Sequence, residues 1–472
     1  MHGTRNNPDT ARIFRSIGWL YQQKRDYKLA KHYFMKSLGI LCRLYGRASE
    51  EKCNCNSPTP TCCDTEGDWN GINENHGAEV EWEWRYLLTL TCRCYNNVDH
   101  KDIAGILLDL GFNSYLARCE HINLYYRYAV QEESEKLLKD AGSMFKRLGI
   151  LSKVANTLRN RGVNLSEMEN FSEANSCFFH SLVLYQDIYG SNVNNIDVAT
   201  ALKDMGINFL AQHEVNCAQL YLQNGLDMYE SLDLGRNVAE RATCQLYLGK
   251  IFDLQQKYTE AEIVYRNLLQ VAYSLSGGEC AKHVDIAGML YFLGRNLHYQ
   301  MRYDEAGVLL EEALEMYDEV FGKFDKENVS LLHVMGKNLL EQQRYEEADK
   351  YLYITLEEMR KIYGNSDNEA FAELSKDIGT NHYYRQRFKA AEHWLKHCCL
   401  EQYEYLPPLC IGEKRLEDMA SALYGLFLLY RDTKDNFQAN ENAKKALDIY
   451  KQINPRNRNV PALVAFMDRV EI

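Results

Sequence analysis

Basic side chains with aromatic neighbours recur at long, nearly constant intervals in the middle of the chain. Lys250, Arg295 and Lys337 are separated by 45 and 42 residues, and each directly follows a glycine. Rings precede these glycines by two or three positions, or follow one of them by five: Tyr247, Tyr291, Phe292, His333 and Tyr299. A row of cations flanked by rings suits a peptide that carries carboxylates and an aromatic or leucine anchor. These eight residues are therefore predicted to line a peptide-binding groove. The alternative is a solvated helix face on which Lys and Arg only confer solubility.

Recognisable catalytic sequence patterns are absent from the chain. The Gly249-Lys250 and Gly336-Lys337 pairs lack the hydroxyl residue that completes a phosphate-binding loop. There is no His-Glu-x2-His, no Gly-x-Ser-x-Gly elbow and no deaminase signature. We therefore expect a protein that is not an enzyme and that needs no cofactor.

Residues 47–80 form a cysteine-rich segment that interrupts the hydrophobic pattern. They contain Cys53, Cys55, Cys62 and Cys63, together with His76. These side chains are soft metal ligands, but their spacing fits no paired Cys-x2-Cys knuckle. The segment is predicted to be an irregular loop without a metal, and a metal-linked or redox role of the Cys53–Cys63 loop remains the alternative.

Composition excludes several classes of function. Among 472 residues, 54 Lys and Arg face 66 Asp and Glu, and the net charge of −12 argues against a general nucleic-acid binder. No run of about 18 apolar residues exists, so no membrane span is predicted. The first twenty residues show no secretory signal. Fifteen cysteines then suggest reduced thiols in a cytoplasmic protein.

The glycines belong to a repeat. Four times the chain has Asp, a β-branched residue and Ala, with Gly nine positions after the Asp. From Gly162 onward the corresponding glycines are Gly206, Gly249, Gly294, Gly336 and Gly379, spaced by 44, 43, 45, 42 and 43 residues. A period of this size predicts stacked helical repeats rather than independent domains.

Each period is predicted to contain two helices. An Ala follows seven of the repeat glycines by twelve positions: Ala30, Ala174, Ala218, Ala261, Ala306, Ala348 and Ala391. Small residues are needed where two paired helices approach closely. The second helix is predicted to end at a left-handed glycine cap, at Gly46, Gly190, Gly322 and Gly364.

Several phrases resemble the tetratricopeptide repeat, in the longer form of kinesin light chains. Lys257-Tyr258-Thr259-Glu260-Ala261-Glu262 and Arg344-Tyr345-Glu346-Glu347-Ala348-Asp349 are similar to that family's turn between helices. The resemblance implies an all-α fold, a right-handed superhelical α-solenoid of antiparallel helix pairs. It also implies an interaction scaffold or adaptor that binds a short peptide of a partner protein in its concave groove, similar to the recognition of cargo motifs with Trp among acidic residues.

The period also suggests how the chain is divided. We expect a first repeat at 9–46, the irregular loop at 47–80, divergent helical repeats at 81–150, a regular array at 151–400, and a divergent repeat with a capping helix at 401–472. The repeat-like start at Pro8–Ala11 leaves a second function open, namely a regulatory or sensor portion of a larger protein. The expected partners are proteins with short acidic or amphipathic motifs.

Helical geometry predicts which face binds. Positions −6, −3, −2, +1 and +5 from each glycine form one side of the first helix, the predicted concave wall. Asparagine recurs at +2, at the edge of that wall: Asn113, Asn164, Asn208, Asn296, Asn338 and Asn381. These amides could clamp a ligand backbone. We favour the second interpretation, in which they fix the stacking of neighbouring helices.

Overall fold

The computed structural model describes residues 8–24, 26–45, 100–117, 124–190, 193–232, 237–276, 284–321, 328–363, 369–400 and 413–470. Within these ranges the secondary structure is helical and contains no strand. The cysteine-rich segment 47–80, with Cys53, Cys55, Cys62, Cys63 and His76, lies outside them. The chain divides into two compact units, residues 1–244 and 245–472. The predicted all-α fold is confirmed.

In the described residues of the first unit, four helix pairs are followed by the start of a ninth helix. The helices are α1 (Pro8–Gln23), α2 (Tyr27–Tyr45), α3 (Lys101–Ala117), α4 (Leu124–Arg147), α5 (Leu151–Glu167), α6 (Phe171–Tyr189), α7 (Ile196–Ala211), α8 (Val215–Ser231) and α9 (Val238–Leu254). The boundary between the units falls inside α9, after Cys244. In each pair we call the first helix the A helix and the second the B helix.

The second unit continues from Gln245 in α9 with the same alternation. Its further helices are α10 (Tyr258–Ser276), α11 (Val284–Tyr299), α12 (Tyr303–Phe321), α13 (Val329–Glu341), α14 (Tyr345–Tyr363), α15 (Glu369–Tyr384), α16 (Phe388–Glu392) with a π-helical continuation (His393–Leu400), α17 (Glu413–Asp432), α18 (Asn436–Ile453) and α19 (Val460–Val470). Successive A helices α11, α13, α15 and α17 contact one another. Together with the part of α9 from Gln245 onward, which contacts α11 through Lys250 and Phe292, they form a continuous helical face, which we call the A-helix face.

Small residues allow the close approach of A and B helices. A Cβ on Gly294 would lie 2.8 Å from Cγ of Leu310, and a Cβ on Gly336 would lie 2.7 Å from Cδ2 of Leu352. The alanines at +12 are all fully buried, as Ala306 is against the cluster around Leu293 and Leu297. Any larger side chain at these positions would push the paired helices apart. The glycines and alanines therefore recur because paired helices pack closely at these positions.

The turn from A to B helix uses a left-handed residue that is not glycine. Six of these residues lie seven positions after a repeat glycine, and a seventh follows α17: Glu169, His213, Gln256, Met301, Gln343, Gln386 and Lys434. After α9, for example, the Lys257 N–H donates to the Phe252 carbonyl at 2.8 Å. This six-to-one bond is the Schellman arrangement. At the other end of the repeat, α6 ends at Gly190 as predicted, and the φ of 92° of Gly190 lies in the region that favours glycine, but its ψ of 150° is extended and differs from the left-handed helical cap. Gly46, Gly322 and Gly364 lie outside the described residues.

The asparagines at +2 are buried inside the stack. All six have a relative exposure of 1% or less. Each donates its side-chain N–H to the preceding repeat. Nδ2 of Asn296 donates to Oδ1 of Asp253 at 2.6 Å and to the Tyr258 carbonyl at 3.1 Å. In the next repeat, Nδ2 of Asn338 donates in the same way to the Tyr303 carbonyl at 2.9 Å. This geometry suits the stacking role and does not present the amides to a ligand.

Replacing Asn296 with alanine should destabilise the second unit by about 1–3 kcal/mol, because Asp253 and the Tyr258 carbonyl would lose a buried donor. Alanine at the exposed Asn267 on α10 is the matched control and should cost less than about 0.5 kcal/mol. Chemical denaturation of the three proteins measures the difference. Equal stabilities would show that the amide does not fix the stacking.

Candidate functional site

The eight predicted groove residues lie on three A helices of the second unit. Tyr247 and Lys250 are on α9, Tyr291, Phe292, Arg295 and Tyr299 are on α11, and His333 and Lys337 are on α13. The side chains are half-buried, except that of Tyr299, which is 42% exposed. The period thus brings side chains from distant parts of the sequence onto one face.

Lys250 lies between two aromatic rings. Its Nζ is 4.6 Å from the ring centroid of Tyr247 and 4.4 Å from that of Phe292 on the neighbouring A helix. Within the described part of the chain, no carboxylate lies within ion-pair distance of this ammonium. Burial, and then the positive charge of Arg295, lower the pKa of Lys250 to about 8. The ammonium is therefore held by ring faces rather than by an acidic partner in these ranges.

Arg295 shares the ring surface with Lys250 but has an acidic partner. Its guanidinium lies 5.6 Å from the Tyr291 ring centroid and 5.3 Å from that of Phe292. Nη2 also contacts Oδ2 of Asp253 at 3.4 Å. Asp253 is nearly buried and also accepts from the Tyr265 hydroxyl at 2.8 Å. Arg295 therefore links α11 to α9 as well as contributing charge to the face.

Lys337 and His333 are paired with carboxylates of the next A helix. Nζ of Lys337 lies 2.9 Å from Oε1 of Glu373, and Nε2 of His333 lies 2.8 Å from Oδ2 of Asp377, both on α15. Although burial opposes its charge, Glu373 and Asp377 hold the pKa of Lys337 above its ordinary value. In the same way Lys376 bonds Asp418 on α17. The predicted cationic row is thus largely neutralised by ion pairs that join successive A helices.

Acid should weaken the ion pairs between α13 and α15 by protonating Asp377. Burial by itself would raise the pKa of Asp377, but Lys376, Lys337 and His333 lower it to about 2 from the ordinary 3.8. A carboxyl with a depressed pKa in the folded state stabilises above its unfolded pKa and loses that stabilisation as pH falls. The stabilising contribution of roughly 2 kcal/mol should therefore be present above about pH 4 and be lost between about pH 4 and pH 2.

Melting curves of the protein and of Asp377→Asn between pH 7 and pH 2.5 measure this contribution. The two melting temperatures should differ most at pH 6 and converge toward pH 2.5. Asp304→Asn, at an exposed position on α12, should show no such convergence. A gap between the protein and Asp377→Asn that is constant with pH would contradict the ion-pair account.

Exposed apolar side chains follow the edge of the A-helix face at position +5. Leu254 is 58% exposed, Tyr299 is 42% exposed and Tyr384 is 46% exposed. Tyr299 stacks on Tyr258 at a centroid distance of 5.6 Å, which fixes its ring. Tyr299 is one of the predicted groove residues, whereas Leu254 and Tyr384 are not, although all three occupy the same repeat position. Reading +5 in every repeat would have found them.

The same edge carries a contact from the C-terminal part of the unit. Glu341, the +5 residue of α13, contacts Arg458 through Oε1 and Nη2 at 3.2 Å. Arg458 precedes α19 and lies 117 positions away in sequence. Position +5 at α13 is therefore a carboxylate paired with Arg458, whereas Leu254 and Tyr299 of α9 and α11 are exposed apolar side chains.

Neither a metal centre nor a membrane span is found in the described residues. No group of three or more His, Cys, Asp or Glu side chains in these ranges could hold a metal ion. Every helix in them is too short or too polar to cross a bilayer. The cysteine-rich segment that raised the metal alternative lies outside these ranges.

Comparisons with known proteins give one family-model match and several similar solved structures. The family model described as tetratricopeptide repeat matches residues 285–353, which span α11, α12, α13 and the start of α14. The apo form of the quorum sensor NprR from B. thuringiensis has a TM-score of 0.50 at 14% identity, over 79% of this chain and 94% of that one. A Rap protein complexed with competence and sporulation factor gives 0.48 at 15% identity, over 80% and 95%. BtubC (BKLC) from P. vanneervenii gives 0.37 at 16%, over 56% and 92%.

At sequence identities this low, the similarity to solved structures shows the fold alone. No curated protein matches the sequence. The glycine period, the buried alanines at +12 and the A–B helix pairs nevertheless coincide with the matched residues. Residues 285–353 therefore match the tetratricopeptide repeat, and the A–B helix pair in that range has the packing that the glycine period predicts.

Proposed function

We propose that the chain is an interaction scaffold whose second unit binds a short peptide segment of a partner protein on α9 and α11. Tetratricopeptide repeats support a protein-interaction scaffold in general. The observation that carries the finer proposal is the ammonium of Lys250, held between two rings with no carboxylate of the described residues beside it. The other predicted cations of the face, Arg295 and Lys337, have acidic partners within the fold.

The position of Lys250 distinguishes binding from mere solubility. A lysine that only solubilises a surface extends its ammonium into water. Lys250 instead holds its charge against Tyr247 and Phe292, where burial and Arg295 both penalise it. Holding an unmatched charge in this way costs stability, and such a cost is typical of functional positions. A carboxylate from a ligand would remove the penalty.

The surroundings define the peptide. A carboxylate on Lys250, next to the guanidinium of Arg295, would form charge-assisted hydrogen bonds. Leu254 and Tyr299, exposed at +5 on the same two helices, offer an apolar contact for a neighbouring aromatic or leucine side chain. The ligand is therefore an amphipathic peptide with at least one acidic residue beside an apolar anchor. This chemistry is similar to the cargo recognition that the kinesin-light-chain resemblance implies.

Selection from a random twelve-residue peptide library on the immobilised protein tests the proposal. Counter-selection on Lys250→Glu removes peptides that bind elsewhere. Enriched sequences should pair Asp or Glu with Trp, Phe, Tyr or Leu, and their affinity should fall as salt rises. Selections that enrich no peptide, or only basic ones, would reject the proposal.

A further inference from the structure

An imidazole and a thiol lie next to each other on the π-helical continuation of α16. Nε2 of His393 is 3.6 Å from Sγ of Cys398. The side chain of His393 is exposed and that of Cys398 is half-buried. Leu395 and Cys399 of the same segment are fully buried and belong to the core that is shared with α17. The segment therefore has a packed side and an outer side, and the imidazole and the thiol share the outer side.

The π-helical turn brings these two side chains together. In an α-helix five residues turn through about 500°, so positions i and i+5 point about 140° apart. A π-helix instead closes each turn with a hydrogen bond between i and i+5, which places these two positions nearly above each other. The segment His393–Leu400 is π-helical, and Cys398 is the fifth residue after His393. A regular α-helix would have kept the two side chains apart.

The separation of the two atoms suits a metal ion. Zinc binds thiolate sulfur at about 2.3 Å and imidazole nitrogen at about 2.05 Å, so a tetrahedral angle places the two ligand atoms about 3.5 Å apart. The 3.6 Å between Sγ of Cys398 and Nε2 of His393 is close to this value. The same distance fits a hydrogen bond from the thiol to the ring. A zinc ion would therefore take the place of one shared proton with little movement of either side chain.

We propose that His393 and Cys398 form an open binding site for a zinc ion. The thiol of Cys398 gives its proton to water, and the thiolate and the unprotonated Nε2 each donate a lone pair to the metal. His393 keeps its proton on Nδ1, and water fills the remaining positions. The ring of His397 lies beside that of His393 at a centroid distance of 5.7 Å. Because no group of three His, Cys, Asp or Glu in the described residues could hold a metal ion, only two ligands are assigned.

The ligand pair selects the class of cation. Thiolate and imidazole suit zinc and other transition metals, whereas Mg²⁺ prefers oxygen ligands. Two protein ligands are fewer than a closed structural zinc site has, so the ion should exchange with metal in solution. The bound ion would also link the two ends of one π-helical turn. This site lies on a B helix and does not depend on the proposed peptide binding.

Alkylation of Cys398 in the full chain tests the proposal, because zinc competes with the reagent for the thiolate. The protein is treated briefly with N-ethylmaleimide, alone or with an excess of Zn²⁺ or Mg²⁺, and site-resolved mass spectrometry measures each cysteine. Zn²⁺ should slow the labelling of Cys398 by about fivefold or more, whereas Mg²⁺ should not slow it. Zinc held by other cysteines of the chain leaves this readout unchanged, because each thiol is measured separately.

Cys217, an exposed thiol on α8, is the reference, and Zn²⁺ should leave its labelling rate unchanged. His393→Gln should remove the protection of Cys398, whereas Lys396→Gln, at an exposed position of the same π-helical segment, should keep it. Labelling of Cys398 that Zn²⁺ does not slow, equal slowing of Cys398 and Cys217, or protection that persists in His393→Gln would overturn the proposal. Circular dichroism shows whether His393→Gln remains folded. If it does not, the comparison of Cys398 with Cys217 in the unchanged chain decides.

Discussion

Alanine at Gly294 should destabilise the second unit by about 2 kcal/mol, whereas alanine at Gly288 in the same helix should stabilise it slightly. The Cβ at Gly294 would lie 2.8 Å from Cγ and 2.9 Å from Cδ2 of Leu310, inside contact distance. At Gly288 the nearest atom is the Tyr317 hydroxyl oxygen at 3.6 Å, an ordinary contact. Both variants gain the same helix propensity, so the difference between them isolates the packing of α11 against α12.

Hydrogen exchange is the appropriate measurement because repeat arrays unfold in parts. Amides of α11 and α12 should lose protection in Gly294→Ala and keep it in Gly288→Ala. Amides of α17 and α18, several helices away, should change much less. Equal protection in the two variants would mean that the repeat glycines are not needed for helix pairing.

Lys250→Met should abolish most peptide binding without harming the fold. Methionine keeps the contact with the rings but provides no charge for a carboxylate, so affinity for a selected acidic peptide should fall at least tenfold. The pKa of Lys250, lowered to about 8 by burial and Arg295, means that the charge costs stability at neutral pH. The variant should therefore melt at the same temperature or higher.

Fluorescence anisotropy with a labelled peptide, together with melting curves, tests both halves of this prediction. Lys257→Met removes an exposed lysine from the turn that precedes α10 and should leave affinity within twofold. Reversal of Arg295 or Lys337 is a poorer test, because glutamate would face Asp253 or Glu373 and disturb the A-helix contacts. An unchanged affinity in Lys250→Met would remove the main support for the proposed site.

The fold could be predicted from sequence because its cause is local and periodic. Paired helices can approach closely only where their side chains are small, as at Gly294 and Ala306. The same requirement recurs along the repeats. The left-handed turn residues were missed because they are Gln, His, Met, Glu and Lys, which give no conformational signal. Their backbone is imposed by the helices on either side.

The sequence predicts where the cations of the candidate site lie, but not which of them are paired with carboxylates. The period places Lys250, Arg295 and Lys337 on one face, as the structure does. The period does not reveal which carboxylate pairs with each cation. Arg295 contacts Asp253 of the preceding A helix and Lys337 contacts Glu373 of the following one, and the two acids occupy different repeat positions. Only the side-chain geometry distinguishes the paired cations from Lys250.

Photo-crosslinking from a selected peptide tests the peptide site most directly. A diazirine placed beside the acidic residue should label α9 and α11, near Tyr247, Tyr291 and Phe292, and mass spectrometry should locate the adducts. Excess unlabelled peptide should suppress them, and Lys250→Met should reduce them. Adducts confined to the B helices α10 and α12, or unaffected by competition, would contradict peptide binding on the A-helix face.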